Sequence, residues 1–162
     1  MEVEALNTCV KVVAAVQRRL RDPERCLQEG YPGVCAAVSR SLAVAMHRNQ
    51  TSIRLSIGES SNLVMEIEDV SNLICSKWAA KYGTGRGYPI PVAGGAEDTS
   101  GVFLKPEMAE HAYRDLCPAE KWDPESEYGQ MRIQLASDVA DELQSLINGY
   151  EKQIQNMEKD DD

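Results

Sequence analysis

The sequence predicts a helix-rich α+β fold, with five or six helices around one β-hairpin and a long C-terminal helix; an all-α fold is the alternative. Three observations carry that prediction. Apolar residues recur at spacings of three and four over several long stretches, the mark of amphipathic helices. Between residues 51 and 68 they alternate with polar ones instead, the period of a half-buried strand. Aromatic content is thin, with one Phe, two Trp and six Tyr among 162 residues. The core must therefore be built from Val, Leu, Ile, Ala and Met, which suits helices better than a β-sandwich.

In order along the chain, residues 4–20 place Leu6, Cys9, Val10, Val13, Val16 and Leu20 on one helical face. Arg18, Arg19 and Arg21 close that helix where its dipole favours positive charge. Asp22-Pro23 reads as an N-cap followed by proline at the first helical position, opening a short helix that Gly30 ends. Tyr31-Pro32-Gly33 is a turn. Val34, Val38, Leu42 and Met46 form the next stripe, which runs to about Arg48. His47 sits in its last turn, where a protonated imidazole is favourable in itself.

Ile53, Leu55 and Ile57 then alternate with polar residues, and so do Leu63, Met65 and Ile67 beyond Gly58-Glu59-Ser60-Ser61-Asn62. A hairpin is preferred there, because the first strand alone would leave its backbone groups unpaired. The rival is one long helix, since Leu63, Ile67, Val70, Ile74 and Trp78 also fit a 3.6-residue period. On the hairpin reading Asp69 caps a helix that reaches Tyr82, and Gly83 supplies the left-handed residue after its end.

Residues 83–104 lack a sustained period and hold six of the eleven glycines, so they read as a long loop, a feature that is usually functional or disordered. Lys105-Pro106 starts a helix with Met108, Ala112, Tyr113 and Leu116 inward, until Cys117-Pro118 stops it. Asp123-Pro124 opens the longest stripe: Tyr128, Met131, Leu135, Val139, Leu143, Leu146, Tyr150, Ile154 and Met157. A helix over 124–157 would be about 50 Å long, so part of it should overhang the body. Gly129 and Gly149 mark expected bends. The organisation is one domain over 1–157 with an acidic, disordered tail at 158–162.

The net charge of -9 is polarised: +3 over residues 1–58 and -12 over 59–162. An acidic half disfavours nucleic acid and anionic lipid and favours a partner with a basic surface, although a solvated face is the plainer account. Cys9, Cys26, Cys35, Cys75 and Cys117 are odd in number and contain no C-x-x-C, which points to reduced thiols rather than disulfides or a zinc knuckle. No basic leader with a long apolar run opens the chain, and no run spans a bilayer, so a cytoplasmic location is expected. Asn49-Gln50-Thr51 is then a sequon by accident.

Candidate chemistry is sparse. Gly83-x-Gly85-x-Gly87 with Arg86 could approach a phosphate, but it lacks the strand before and the helix after that a dinucleotide fingerprint needs. Arg86, Tyr88, Asp98 and His111 are the candidate ligand-binding residues. Glu107, His111 and Asp115 share a helical stripe but span about 12 Å, too far to meet at one metal ion. No metal or cofactor is expected. Asp98-Thr99-Ser100-Gly101 departs from the aspartic-protease motif by an inserted serine. Two histidines and no nucleophile elbow leave little for an enzyme to use.

The acidic set Glu125, Glu127, Asp138, Asp141 and Glu142 is the candidate partner-binding face. Leu146, Tyr150, Ile154 and Met157, with little obvious chain left to cover them, are the candidate interface of a homodimer or higher oligomer. The functional expectation is a non-catalytic acidic interaction module, an inhibitor or adaptor for a basic partner, a profile that small phage inhibitors of host defence share. The alternative is a ligand-binding protein or small enzyme using 83–104.

Overall fold

The first apolar stripe folds into α1 (Val3–Leu20), which buries Leu6, Cys9, Val12, Val13 and Val16 completely. The computed structural model describes residues 1–22, 34–82, 89–90, 102–103 and 127–160. Along them follow α2 (Val34–Arg48), the one-turn α3 (Thr51–Arg54), α4 (Ile57–Tyr82) and α5 (Glu127–Asp160). A two-residue antiparallel pairing joins β1 (Pro89–Ile90) to β2 (Val102–Phe103), with Pro89 opposite Phe103. It is too short to form a layer, and the fold is all-α.

The four long helices form a ring in which each packs on its neighbours and α5 closes back onto α1. Directions follow from named contacts. Trp78 of α4 meets Asp138 of α5, and Glu66 meets Tyr150, so as one helix ascends the other descends. Gln17 of α1 meets Ala140 and Gln144, while Cys9, nearer the start of α1, lies within electrostatic reach of Tyr150; these two helices are also antiparallel. Arg54, just beyond α2, pairs with Glu4 at the start of α1. The result is an up-down-up-down four-helix bundle whose core is mainly Val, Leu, Ile and Ala, joined by Cys9, Cys75, Trp78 and Tyr150, while Met46 and Met157 are only partly buried against it.

The hairpin expected over 51–68 is replaced by α3, a two-residue corner at Leu55 and Ser56, and the first half of α4. Only one of the three alternating residues is inside: Leu55 is 6% exposed, whereas Ile53 is 79% and Ile57 89% exposed. Met65, assigned inward in the second strand, also faces solvent, while Leu63, Ile67, Ile74 and Trp78 are buried at helical spacing. Asp69 is therefore inside α4, not at its start. The start is fixed by Ser56 and Glu59. The Glu59 backbone N–H donates to Ser56 Oγ at 3.1 Å, and Glu59 Oε1 accepts from the Ser56 N–H at 2.8 Å. This reciprocal capping box satisfies two amides that a helix end otherwise leaves orphaned.

The turn from α2 into α3 holds Gln50 in the left-handed region at φ 53°. Its carbonyl accepts the amides of Ile53 and Arg54, and the Asn49 side chain donates to Ala45 O at 2.8 Å. Asn49, the sequon residue, is thus engaged in finishing α2. Helix α5 is longer than expected at its end, continuing through Asp160 over residues expected to be a tail, and it passes Gly149 without a break. The short helix after Asp22-Pro23, the helix after Lys105, and all of 83–104 except β1 and β2 lie outside the described residues.

Candidate functional site

A groove of about 630 Å³ runs between α4 and α5. Ile74 and Trp78 contribute its buried apolar surface, and Asp138, Asp141 and Glu142 line it from α5. These carboxylates stand at i, i+3 and i+4, so helical geometry puts them on one face. The facing helix is set opposite by the antiparallel register that Trp78 and Tyr150 report.

The three acids differ in their surroundings. Asp138 is half-buried and held at both oxygens: Trp78 Nε1 donates to Oδ2 at 2.8 Å and Gln134 Nε2 donates to Oδ1 at 2.9 Å. Its carboxylate is therefore fixed in direction, and the indole is fixed with it. Asp141 is exposed and accepts from Arg21 at 2.9 Å, a surface ion pair worth about 0–1 kcal/mol. Glu142 is exposed, and among the described residues no ion pair engages it. Lys77 lines the groove from α4. The arrangement sets two exposed carboxylates beside a largely buried indole, and exposed carboxylates accept a guanidinium or ammonium group.

The remaining members of the acidic set are placed less fully: Glu127 opens α5 with its side chain outside the described residues, and Glu125 lies outside them altogether. So do Arg86, Tyr88, Asp98 and His111. The candidate oligomer stripe is largely accounted for within the chain. Tyr150 is buried, donating its hydroxyl to Glu66 of α4, and Leu146, Ile154 and Met157 are partly buried against the core. Neither Glu66, in the stretch that reads as a strand, nor Trp78, on a stretch that reads as helix, signals in sequence that it meets α5, because both contacts join segments far apart in the chain.

Titration behaviour points to structure rather than catalysis at the buried groups. Burial, chiefly, with Glu66 and Glu59 adding to it, pushes the Cys9 thiol up to about 11 from 9.0. A thiol so protonated at neutral pH is a poor nucleophile. Tyr150 is pushed well above its ordinary value, first by burial and then by the hydrogen bond to Glu66. Among the described residues no group of three His, Cys, Asp or Glu could hold a metal ion, and no helix is long and apolar enough to cross a membrane. No protein-family model, curated protein or solved structure matches this chain.

Proposed function

We propose that the protein is a non-catalytic interaction module, an adaptor or inhibitor whose α4/α5 groove receives a basic segment of a protein partner. The observation that supports this is the convergence of Asp138, Asp141 and Glu142 with Trp78 in one recess. An arginine entering it would place its fork against the carboxylates, beside the edge of a largely buried indole where water is partly excluded. Lysine would gain the charge but not the bidentate fork. Because Asp138 is already oriented by Trp78 and Gln134, little side-chain entropy is lost when a partner docks.

The reading is tested by titrating an arginine-rich peptide into the chain and following indole fluorescence, with Trp122→Phe isolating Trp78. Binding should weaken about tenfold or more in Asp138→Asn with Glu142→Gln, and should fall steeply as salt rises from about 0.05 to about 0.3 M. Affinity that ignores both the substitutions and the salt would refute the groove as the docking surface.

A further inference from the structure

In the ring of four helices the α1/α2 seam lies opposite the α4/α5 groove, and its charge is reversed. A recess of about 350 Å³ there is lined by Ala15, Arg18, Arg19, Asp22, Val44 and Arg48. A smaller one of about 110 Å³ adjoins it, lined by Lys11, Arg48 and Arg54 among others, so that Arg48 borders both. We propose that this seam binds a small molecule bearing a phosphate or pyrophosphate group, held by Lys11, Arg18 and Arg48.

Helix dipoles explain part of the charge, since Arg18 and Arg19 sit in the last turn of α1 and Arg48 in the last turn of α2. They do not explain the convergence. The helices are antiparallel, so the end of α2 lies beside the middle of α1 and gains nothing from that helix's arginines. Lys11 stands midway along α1, away from the end of its own helix, and meets Arg48 at the end of α2. Among the described residues no ion pair engages Lys11, Arg18 or Arg48, while Arg54 is paired with Glu4. Asp22 lines the larger recess and offsets part of the charge, but Lys11, Arg18 and Arg48 leave an excess of positive charge, which an oxyanion relieves while accepting bidentate bonds from the guanidinium forks.

Shape and field set the size of the ligand. The buried Ala45 and half-buried Ala15 and Val44 give a floor of short side chains, and the larger recess is near the lower end of volumes that hold small molecules, about 300–1,000 Å³. Lys11 and Arg18 lie on one helix about 10 Å apart along its axis, a span that fits one or two phosphates. A nucleic-acid strand would extend beyond it, and a chain of net charge -9 repels a long polyanion outside the groove.

Calorimetric titration of the full chain with inorganic pyrophosphate, beside inorganic phosphate and a short single-stranded DNA, tests the assignment. Saturable one-to-one pyrophosphate binding is expected, weakened about tenfold or more in Arg18→Gln with Arg48→Gln and by less in Lys11→Gln. These side chains are exposed, and circular dichroism checks that the helices persist; should the double variant unfold, Lys11→Gln carries the comparison. Absence of saturable binding, or an affinity unmoved in the folded variants, overturns the proposal. Tighter binding of the DNA than of pyrophosphate overturns it in favour of a polymeric ligand.

Discussion

Helix α5 has two flanks, and they are built differently. Against α1 it is dry inside: Leu6, Cys9, Val12, Val13 and Val16 are fully buried, the buried polar insertion is Gln17, whose amide donates to Ala140 O at 2.9 Å and to Gln144 Oε1 at 3.2 Å, and Arg21 reaches Asp141 at the exposed end. Against α4 it is bridged by polar side chains, Trp78 to Asp138 and Tyr150 to Glu66, with an open groove beside the first bridge. Dispersion and apolar burial fix the first flank, where density leaves no room for a ligand. Directional bonds fix the second and leave space between them. The difference teaches that one side of the helix is held by close packing and the other by directional bonds set beside an open groove.

The sharpest way to break that contrast is to thin the dry flank. Leu6→Ala removes a completely buried side chain and should cost about 2–5 kcal/mol, read as a fall in the denaturation midpoint, because the surrounding helices relax only partly into the cavity. Met65→Ala on the outer face of α4 should stay within about 0.5 kcal/mol. Comparable losses at the two positions would mean that α1 does not pack as described.

A middle-sized effect is expected on the bridged flank. Tyr150→Phe keeps the ring but deletes the bond to Glu66 and should cost about 1–3 kcal/mol at neutral pH, the range for a bond to a charged acceptor. Raised folded-state values at Tyr150 and Cys9 mean that both groups stabilise the fold fully below their unfolded values and lose that contribution as pH rises. For Cys9 the window runs from 9.0 to about 11, and for Tyr150 it opens near 10.0. Stability followed by denaturant melts should therefore be insensitive to these groups up to about pH 8.5 and fall above pH 9. The gap between the wild type and Tyr150→Phe should narrow above pH 10.0; a gap that stays constant would show that the hydroxyl does not make this bond.

Much of this architecture was legible in the sequence. The stripes of α1, α2 and α5 gave their faces and nearly their limits. Residues 51–68 did not, because Ile53, Leu55 and Ile57 alternate with polar residues as a strand would, yet only Leu55 is buried. The contrary signal, Ser56 three residues before Glu59, was present in the sequence and is the local feature that decides the start of α4. The stripe beyond Leu146 shows in sequence little obvious chain to cover it; in the fold the first half of the 26-residue α4 meets it at Tyr150 through Glu66. The acidic residues were legible as a face, but the groove was not, since Trp78 meets Asp138 only through the packing of two distant segments.

A smaller effect, and one of opposite sign, concerns the side of α5 that neither flank reaches. Gly149 sits there, exposed in an unbroken helix, and a Cβ added to it would meet nothing within 4 Å. The neighbouring Tyr150 is anchored to α4, so the bend that glycine would permit is suppressed by tertiary packing. If the outer side is unconstrained, Gly149→Ala gains helix propensity with no steric cost and should stabilise the chain by about 0.8–1 kcal/mol in thermal or denaturant melts. Pyrophosphate and arginine-peptide affinities should not move, because the substitution touches neither seam. A destabilised variant would show that this face of α5 is covered, and that the helix has a third flank.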